Sequence, residues 1–266
     1  MLERTLLLLG EERLSKIRKT CVMIAGLGGV GAFAAEAIVR AGVEKVIIFD
    51  GDTVSQSNIN RQLIALNSTI GKSKAILMQE RLRDINPKCE IIAINEYVRD
   101  ERMPELLDKY SPDWVIDAID TLSPKVFLLV HCYRRGIRVV SSMGSGGKFD
   151  PSMIKITDIS QTFQCPLAHS IRKLLHKQGI YEGIIAVFSP EKVSKECVVE
   201  EKSENKRTTI GTISYMPPIF GLTTASVVIR ETIGMESYQR VKDNKFYENK
   251  KTFLKEDTIK DEKKTI

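Results

Sequence analysis

Residues 21–52 read CVMIAGLGGVGAFAAEAIVRAGVEKVIIFDGD, and this stretch decides the fold. Its first part, residues 22–25, is a short apolar run bounded by glycine, typical of a strand buried on both faces. The glycines of residues 26–31 follow at once in a G-x-G-x-x-G pattern. Small residues over 32–41 predict a helix that ends at Gly42, and residues 46–49 predict a second buried strand that ends at Asp50. This order predicts a βαβ unit with an acidic residue about 20 residues past the glycines.

The glycine loop indicates a nucleotide site. Glycines allow a tight turn and let the backbone approach a ligand phosphate, which then faces the positive end of the following helix. Asp50, at the end of the second strand, is placed to accept hydrogen bonds from ribose hydroxyls. The alternative is a glycine turn that joins strand and helix without a ligand. The agreement of strand, helix and acid favours a nucleotide but does not identify it.

The composition is that of a soluble globular protein. The chain has 266 residues, of which 42% are hydrophobic and 28% charged, enough for one large α/β domain or two small ones. No apolar run approaches membrane-spanning length, and the leucines of residues 6–9 are too few for a signal-peptide core, so we expect a cytoplasmic protein. The five cysteines form no C-x-x-C pair, which argues against a disulfide framework and a four-cysteine zinc site.

Positive charge is concentrated in the middle of the chain. Residues 121–177 contain nine basic and two acidic residues, a net of +7, whereas residues 1–120 carry a net of −2 and residues 178–266 a net of +1. All three histidines fall in the same segment. Such a concentration is typical of proteins that bind a polyanion such as nucleic acid. Charge spread over solvated faces of the fold is an equally good explanation at this stage.

Polar groups follow the second predicted strand and begin the next helix. Residues 52–62 form a polar loop in which Ser57, Asn58 and Arg61 are within reach of a polyphosphate, with Arg61 offering a bidentate guanidinium. Ser57 and Asn58 are alternatively helix N-caps. Lys74 lies near the start of a helix predicted over residues 73–84, where a cation opposes the helix dipole. This misfit favours a role for Lys74 in binding phosphate.

A fourth strand is predicted over residues 114–120, and Asp117 and Asp120 lie at its carboxyl end. This end faces the same edge of the sheet as the glycine loop. Magnesium prefers one or two carboxylates together with substrate oxygens. We therefore expect Asp120 to serve Mg²⁺, and the alternative is that it caps the following helix.

The remaining segments are assigned by pattern. Residues 1–18 predict an amphipathic helix, in which Arg4 is by pattern a solvated charge. Residues 149–159 predict a hairpin around residues 150–151, and residues 189–209 predict an exposed loop. Residues 215–221 predict a rigid entry to a helix over 222–233. Together the elements indicate an α/β fold, Rossmann-like and doubly wound, with a mainly parallel sheet and an α+β C-terminal extension.

Two nucleotides compete for the site. An NAD site would make the chain a dehydrogenase, whereas an ATP site would activate a carboxylate. A dinucleotide needs few cations beyond its glycine loop, but a triphosphate needs charge neutralisation and usually a magnesium ligand. Arg61, Lys74 and Asp120 supply both, and they favour ATP.

The combination of motifs resembles the adenylating domain of the E1-like superfamily, which includes the activators of ubiquitin-like sulfur carriers. The resemblance covers roughly the first 160 residues and rests on the glycine loop, D-x-D at Asp50, S-N-x-x-R-Q at Ser57, Lys74 and D-x-x-D at Asp117. Within the superfamily the chain is most similar to the tRNA threonylcarbamoyladenosine dehydratase family. That similarity adds R-x-x-x-L-x-G at the start, G-G-x-x-D-P at residues 146–151, P-L at 166–167 and P-x-x-x-G at 217–221. The family often has an acidic residue at position 165, where this chain has Cys165.

The resemblance implies an ATP- and Mg²⁺-dependent reaction on tRNA. The carboxylate of the threonylcarbamoyl group on an adenosine next to the anticodon is adenylated, and AMP leaves as the side chain cyclises. Catalytic roles are implied for Arg4, Arg61, Lys74 and Asp120, with Asp120 also the metal ligand. Arg4 matches an arginine that superfamily dimers lend to the partner's site, so a homodimer is implied. Contacts to ATP are implied for Gly26, Gly28, Gly29, Gly31, Asp50, Asp52, Ser57, Asn58, Arg61, Gln62 and Lys74.

The resemblance also gives an expected organisation: an adenylation domain over residues 1–160, a basic tRNA-binding extension over 161–235 and a mixed-charge tail over 236–266. Two alternatives have other functions. An activator of a sulfur carrier would usually have paired C-x-x-C motifs, which this chain lacks, although a sulfur-transfer partner protein is a further expectation. A catalytically silent nucleotide-binding adaptor would have no chemical need for Arg61, Lys74 and Asp120.

Overall fold

The computed structural model describes residues 1–98, 100–200 and 208–238. Its main sheet has seven strands in the order β3-β2-β1-β4-β5-β7-β6, all parallel except β6, which pairs antiparallel with β7. The predicted α/β fold with a mainly parallel sheet is confirmed. The strands are β1 (Cys21–Ala25), β2 (Lys45–Phe49), β3 (Glu90–Ile94), β4 (Trp114–Asp117), β5 (Arg138–Ser142), β6 (Lys155–Asp158) and β7 (Ile185–Phe188).

Helices cover both faces of the sheet, each face with its own hydrophobic core. The first core lies against α1, α2, α3 and α7, and the second against α4, α5 and α6. The helices are α1 (Glu3–Lys19), α2 (Gly31–Ala41), α3 (Lys74–Ile85), α4 (Arg102–Tyr110), α5 (Leu122–Arg135), α6 (Pro166–His176) and α7 (Met216–Thr232). Because the central strands are buried on both faces, they are continuous apolar runs rather than alternating ones.

The direction of chain winding reverses between β1 and β4 in this strand order. In open α/β sheets the crevice beyond the carboxyl ends of the strands at such a point is where ligands bind. The glycine loop follows β1, and Asp117 is the last residue of β4, beside Ala25. The fold therefore directs the predicted site residues to one edge of the sheet.

Three of the predicted elements have one boundary in the wrong place. Strand β4 ends at Asp117, so Asp120 lies in the turn before α5 rather than in the strand. The sequence pattern predicts a helix over residues 125–135, but α5 begins at Leu122, ahead of Pro124, because proline is tolerated in the first turn, where its missing N–H would have no helical partner. For the same reason α7 begins at Met216 with Pro217 and Pro218 in its first turn, rather than at residue 222.

The hairpin predicted over residues 149–159 is also wrong. Pro151–Met153 form a 3₁₀ turn, and only Lys155–Asp158 is extended, as strand β6. That strand pairs with β7, nearly 30 residues later in the chain. Local alternation indicated an extended segment correctly but could not reveal its partner.

The exposed loop predicted over residues 189–209 contains more structure than expected. Val198–Glu200 (β8) pairs antiparallel with Thr208–Ile210 (β9). Of the predicted tail, residues 239–266 lie outside the described part of the chain. The domain boundary at residue 160 stays a prediction; strands β6 and β7, on either side of it, hydrogen-bond in one sheet. None of the helices described is long and apolar enough to cross a membrane.

Candidate active site

The glycine loop is packed against the turn that follows β4. A Cβ on Gly31 would lie 1.8 Å from the carbonyl oxygen of Gly26, and one on Gly26 would lie 2.9 Å from the carbonyl oxygen of Ala118. Gly26 also has a φ of +86°, which strongly favours glycine. Gly28 differs, because the nearest atom to its Cβ position is the Nε2 of Gln62 at 3.6 Å. Gly26 and Gly31 are required by the fold, whereas Gly28 leaves room for a ligand.

Asp50 holds the glycine loop to the end of β2. Its carboxylate accepts hydrogen bonds from the backbone N–H of Leu27 at 2.7 Å and of Asp52 at 2.8 Å. Burial raises the pKa of Asp50 above its ordinary value, while the Lys74 ammonium and the two backbone donors oppose that shift. This carboxylate thus fixes the loop and also lies where the first ribose of a nucleotide binds in this kind of fold.

Lys74 is the first residue of α3 and is buried. Its backbone N–H donates to the carbonyl of Asp52, in the segment after β2, at 3.1 Å. Its ammonium lies 2.9 Å from the Asp52 carboxylate, whose other oxygen accepts from the hydroxyl of Tyr97 at 2.5 Å. The fold therefore places an ammonium at the site edge against the helix dipole, with Asp52 as its counterion.

The loop between β2 and α3 brings Arg61 and Gln62 to the glycines. The carbonyl oxygen of Arg61 lies 3.2 Å, and its Cγ 3.5 Å, from the position of a Cβ on Gly29. Its guanidinium donates to the carbonyl of Ser57 and to the side chain of Asn60, both at 2.8 Å. Gln62 is buried, and within the described residues its Oε1 has no hydrogen-bond partner. An orphaned amide oxygen beside Gly28 is a group that a bound ligand or water is expected to satisfy.

The capping role considered for Ser57 and Asn58 belongs to a neighbouring residue. Ser55 is the N-cap of a 3₁₀ turn over Gln56–Asn58, and the buried Asn58 accepts from the Ser55 N–H at 3.1 Å. The Ser57 side chain is exposed and contacts the hydroxyl of Ser55 at 3.0 Å. Asn58 therefore shapes the loop, and Ser57 lies on its surface.

Asp117 and Asp120 have different surroundings. Asp117 is fully buried and forms an ion pair with Lys125, also fully buried, at 2.8 Å. Asp120 is exposed in the turn between β4 and α5. Of the two, only Asp120 is accessible to a ligand at the sheet edge.

These surroundings fit a magnesium ion held with the help of phosphate. Among the residues described, no group of three or more His, Cys, Asp or Glu side chains is arranged to hold a metal by itself. Mg²⁺ does not need such a group, because one carboxylate plus phosphate oxygens and waters is a usual set of ligands. Asp120 meets that requirement, because it is exposed in the turn whose Ala118 contacts the glycine loop.

Arg4 is not brought to this site within one subunit. Two residues before it, Leu2 contacts Gly42, at the carboxyl end of α2. The glycine loop lies at the opposite end of that helix, and 11 residues span about 16 Å. Helix α1 is kinked at Gly10, and the segment before the kink exposes 87% of Leu7 and 80% of Leu8.

Two residues at the site escaped the sequence analysis. Tyr97 follows β3, and nothing in its local sequence indicates that its hydroxyl reaches Asp52. Lys125 could have been found from the sequence. It is a cation in the first turn of a helix, where it opposes the helix dipole, as Lys74 does.

The chain resembles known proteins over nearly its whole length. The ThiF family model matches residues 2–265. The tRNA threonylcarbamoyladenosine dehydratase of Bacillus subtilis is 38% identical over 248 residues, which cover 90% of this chain and 97% of that protein. A molybdopterin-synthase adenylyltransferase of Salmonella typhimurium is 33% identical over 132 residues, about half of each chain.

Solved structures with the same fold include two of the Escherichia coli tRNA N6-threonylcarbamoyladenosine dehydratase, one in complex with AMP and one with ATP. Each is 32% identical to this chain and covers 86% of it and 92% of the solved chain. The TM-scores are 0.78 for the AMP complex and 0.76 for the ATP complex.

Proposed function

Because the chain belongs to the ThiF family, we propose that it is an ATP-dependent dehydratase that cyclises threonylcarbamoyladenosine in tRNA. The observation that carries this proposal is the extent of similarity. The Bacillus subtilis dehydratase is 38% identical along nearly the whole length of both chains, including the segments beyond the glycine loop and the carboxylates. A tRNA substrate also agrees with the expected cytoplasmic location.

The site residues have the chemistry that adenylation needs. The N–H groups of the glycine loop and the start of α2 bind phosphate, and Asp50 binds the ribose. A substrate carboxylate oxygen attacks the α-phosphorus of ATP, and pyrophosphate leaves. Arg61 and Lys74 stabilise the negative charge that develops on the phosphates. The Gln62 amide, next to Gly28, forms a hydrogen bond with the bound nucleotide. Mg²⁺, held by Asp120, would neutralise further phosphate charge when bound.

No protein nucleophile is needed in the second step. A nucleophilic atom within the same threonylcarbamoyl side chain attacks the acyl carbon, and AMP leaves with the oxygen that joined it to that carbon. Because both reacting groups belong to one substrate, positioning supplies much of the rate. The role of the protein is to hold the acyl adenylate dry and correctly oriented.

Activation of a sulfur carrier is the second candidate. Against it, the adenylyltransferase of Salmonella typhimurium matches only half of this chain. The cysteines also lack the pairing that the zinc site of such enzymes needs: all five are free thiols, and Cys165 is buried. A sulfur-transfer partner protein stays an untested expectation.

The basic segment over residues 121–177 contributes less positive surface than its net charge implies. Lys125 and Lys148 are buried, Arg135 pairs with Asp108, and Arg172 donates to the carbonyl of Thr162. Arg134, Arg138 and Lys155 are exposed but contact Gln178, the Trp114 ring and the Phe163 ring, respectively. Lys173 and Lys177, on α6 and just after it, are exposed and have no such contact among the described residues. We therefore assign the tRNA contact to the outer face of α6 rather than to the whole segment.

A homodimer is part of the proposal. The exposed leucines before the Gly10 kink form an apolar surface that a second subunit would cover. Arg4 lies on the same short segment and remote from its own glycine loop. Both facts support a role for Arg4 in the partner's active site.

The test is a reaction on tRNA that carries threonylcarbamoyladenosine. With ATP and Mg²⁺, nucleosides read by mass spectrometry under non-nucleophilic conditions should lose one water, with AMP released in equal amount. Arg61→Ala should abolish this change, and Arg83→Ala, an exposed arginine at the far end of α3, should not. An unchanged nucleoside, together with pyrophosphate exchange driven by the C-terminus of a ubiquitin-like carrier, would establish the sulfur-carrier alternative instead.

A further inference from the structure

A fully buried ion pair lies at the base of the turn that carries Asp120, the proposed magnesium ligand. The carboxylate of Asp117 and the ammonium of Lys125 are 2.8 Å apart, and both side chains are inaccessible to solvent. Asp117 ends β4, the strand beside the one that carries the glycine loop, and Lys125 lies in the first turn of α5. The ion pair therefore closes the base of the turn over residues 118–121, which contains Asp120.

Two further hydrogen bonds of the pair converge on one residue, Ile119. One oxygen of Asp117 accepts from the N–H of Ile119 at 3.1 Å, and the Lys125 ammonium donates to the carbonyl of Ile119 at 3.0 Å. The other Asp117 oxygen accepts from the hydroxyl of Ser141 on β5 at 2.6 Å. Both polar backbone groups of the residue before Asp120 are thus held by charged side chains.

The same turn supports the glycine loop. The Ala118 carbonyl oxygen lies 2.9 Å from the Cβ position of Gly26, and the Ala118 side chain lies 3.2 Å from that of Gly31. Packing against the glycine loop therefore holds the turn at Ala118, and the hydrogen bonds of the ion pair hold it at Ile119, next to Asp120. Loss of the ion pair should release the Asp120 side of the turn and leave the phosphate-binding backbone in place.

Stability alone does not explain the pair. Removing two charges from water is costly, and apolar residues of similar size at such a position are often as stabilising or more so. Lys125 carries a further cost, because its cation lies at the positive end of α5. Unlike an apolar pair, the ion pair forms directional hydrogen bonds that fix the backbone of Ile119.

We propose that Asp117 and Lys125, with Ser141, are positioning residues that fix the turn before α5 and so aim Asp120 at a metal–nucleotide complex. This inference rests on the proposed function only in assigning Asp120 to Mg²⁺. Neither Asp117 nor Lys125 touches substrate. Their effect is on the metal-dependent part of nucleotide binding.

The test compares the affinity for ATP with and without Mn²⁺, read by the free-Mn²⁺ signal in electron paramagnetic resonance and by a fluorescent ATP analogue. In the double variant Asp117→Val/Lys125→Met, the affinity for the Mn²⁺ complex should fall by about tenfold or more, as is usual when groups that orient a metal ligand are lost. Metal-free ATP affinity and the melting temperature should change little, because the buried charges are removed together. Equal losses with and without metal, or no loss at all, would overturn the proposal.

A milder pair of variants covers the case in which the double variant does not fold. Ser141→Ala removes one hydrogen bond to Asp117, whereas Ser142→Ala removes a buried hydroxyl on the same strand that contacts only its neighbour's carbonyl. The metal-dependent affinity should fall in Ser141→Ala and stay unchanged in Ser142→Ala; equal behaviour would contradict the proposal. A wild-type protein that binds the Mn²⁺ complex but leaves tRNA unmodified would refute the proposed function and leave this inference intact.

Discussion

Individual side chains at the sheet edge are held in place before any ligand binds. Lys74 is buried yet paired with Asp52, and Asp52 is held in turn by the Tyr97 hydroxyl. The Asp50 carboxylate accepts hydrogen bonds from the backbone N–H groups of Leu27, in the glycine loop, and of Asp52. Such pre-ordered charges lower the cost of positioning a triphosphate, because little has to be reorganised when it arrives.

Two glycine substitutions should separate folding from binding. Gly31→Ala forces a methyl group to within 1.8 Å of a backbone oxygen and should lower the free energy of unfolding by about 1–3 kcal/mol or more. The methyl group of Gly28→Ala makes only an ordinary van der Waals contact, with the Gln62 side chain at 3.6 Å, and the substitution should change the free energy of unfolding by less than about 0.5 kcal/mol. Its methyl group occupies phosphate space, so ATP affinity should fall by about tenfold, or 1.4 kcal/mol. Urea denaturation and nucleotide titration measure the two effects, and full ATP affinity in Gly28→Ala would contradict the assignment.

At the scale of elements, the βαβ unit was predicted almost to the residue because its strands are apolar on both faces and its glycines mark both helix ends. Prediction failed where a partner distant in sequence decides the structure, as for β6, whose pairing with β7 no local pattern reveals. It failed in the same way inside the site. Glycine spacing identifies a phosphate loop, whereas the Tyr97 contact with Asp52 depends on β2 and β3 lying side by side.

The loop after β5 is tied to the segment after β7 by Lys148, and this tie should depend on pH. Lys148 is buried and donates to the carbonyl of Glu191, and burial lowers the pKa of its ammonium from the ordinary value of 10.5. Between the lowered pKa and 10.5 the unfolded chain binds more protons than the folded one. The contribution of Lys148 to the free energy of unfolding should therefore rise with pH across that window. Burial raises the pKa of Cys21 to about 11 and that of Cys89 to about 12, and these thiols have the opposite effect in the same window. Denaturation at several pH values should therefore show the rise as a difference in free energy of unfolding between wild type and Lys148→Met.

Lys192→Met, which removes an exposed lysine, is the matched control for Lys148→Met. Its pH dependence should follow that of wild type. A pH dependence in Lys148→Met identical to that of wild type would refute the assignment of the effect to this side chain.

The outer face of α6 should carry part of the tRNA affinity. Lys173→Glu and Lys177→Glu change exposed cations that have no assigned role in the nucleotide site. Each should weaken tRNA binding and, because each lost phosphate contact releases fewer counterions, reduce the salt dependence by about one unit of slope. Binding measured over a range of salt concentrations tests this. Variants with an unchanged slope and affinity would show that tRNA binds elsewhere.

At the scale of the whole molecule, one sheet edge collects residues from the glycine loop, the polar loop after β2, the start of α3 and the turn after β4. Order along the chain could predict this meeting, because parallel strands place their carboxyl ends together. It could not predict that Arg4 lies at the far end of α2, since α1 docks by contacts that have no sequence pattern. That position agrees with the proposal that Arg4 serves the active site of a second subunit.

A mixture of two inactive variants tests this arrangement. If Arg4 serves the partner's site, Arg4→Ala and Arg61→Ala subunits should form mixed dimers with one intact site. A statistical mixture should then regain about a quarter of wild-type activity. Mixing Arg61→Ala with Lys74→Ala should regain none, because every site then lacks one residue. Failure of the first mixture in a preparation shown to be dimeric by sedimentation would contradict a shared site.

The central claim is that this sheet edge adenylates the carboxylate of the threonylcarbamoyl group, and the fate of its oxygen atoms tests this most directly. Substrate tRNA would carry ¹⁸O in both carboxylate oxygens, and the AMP and nucleoside products would be weighed by mass spectrometry. Adenylation predicts one ¹⁸O in the phosphate of AMP and one retained in the cyclic nucleoside. Unlabelled AMP, with the lost ¹⁸O recovered in pyrophosphate, inorganic phosphate or water, would contradict it.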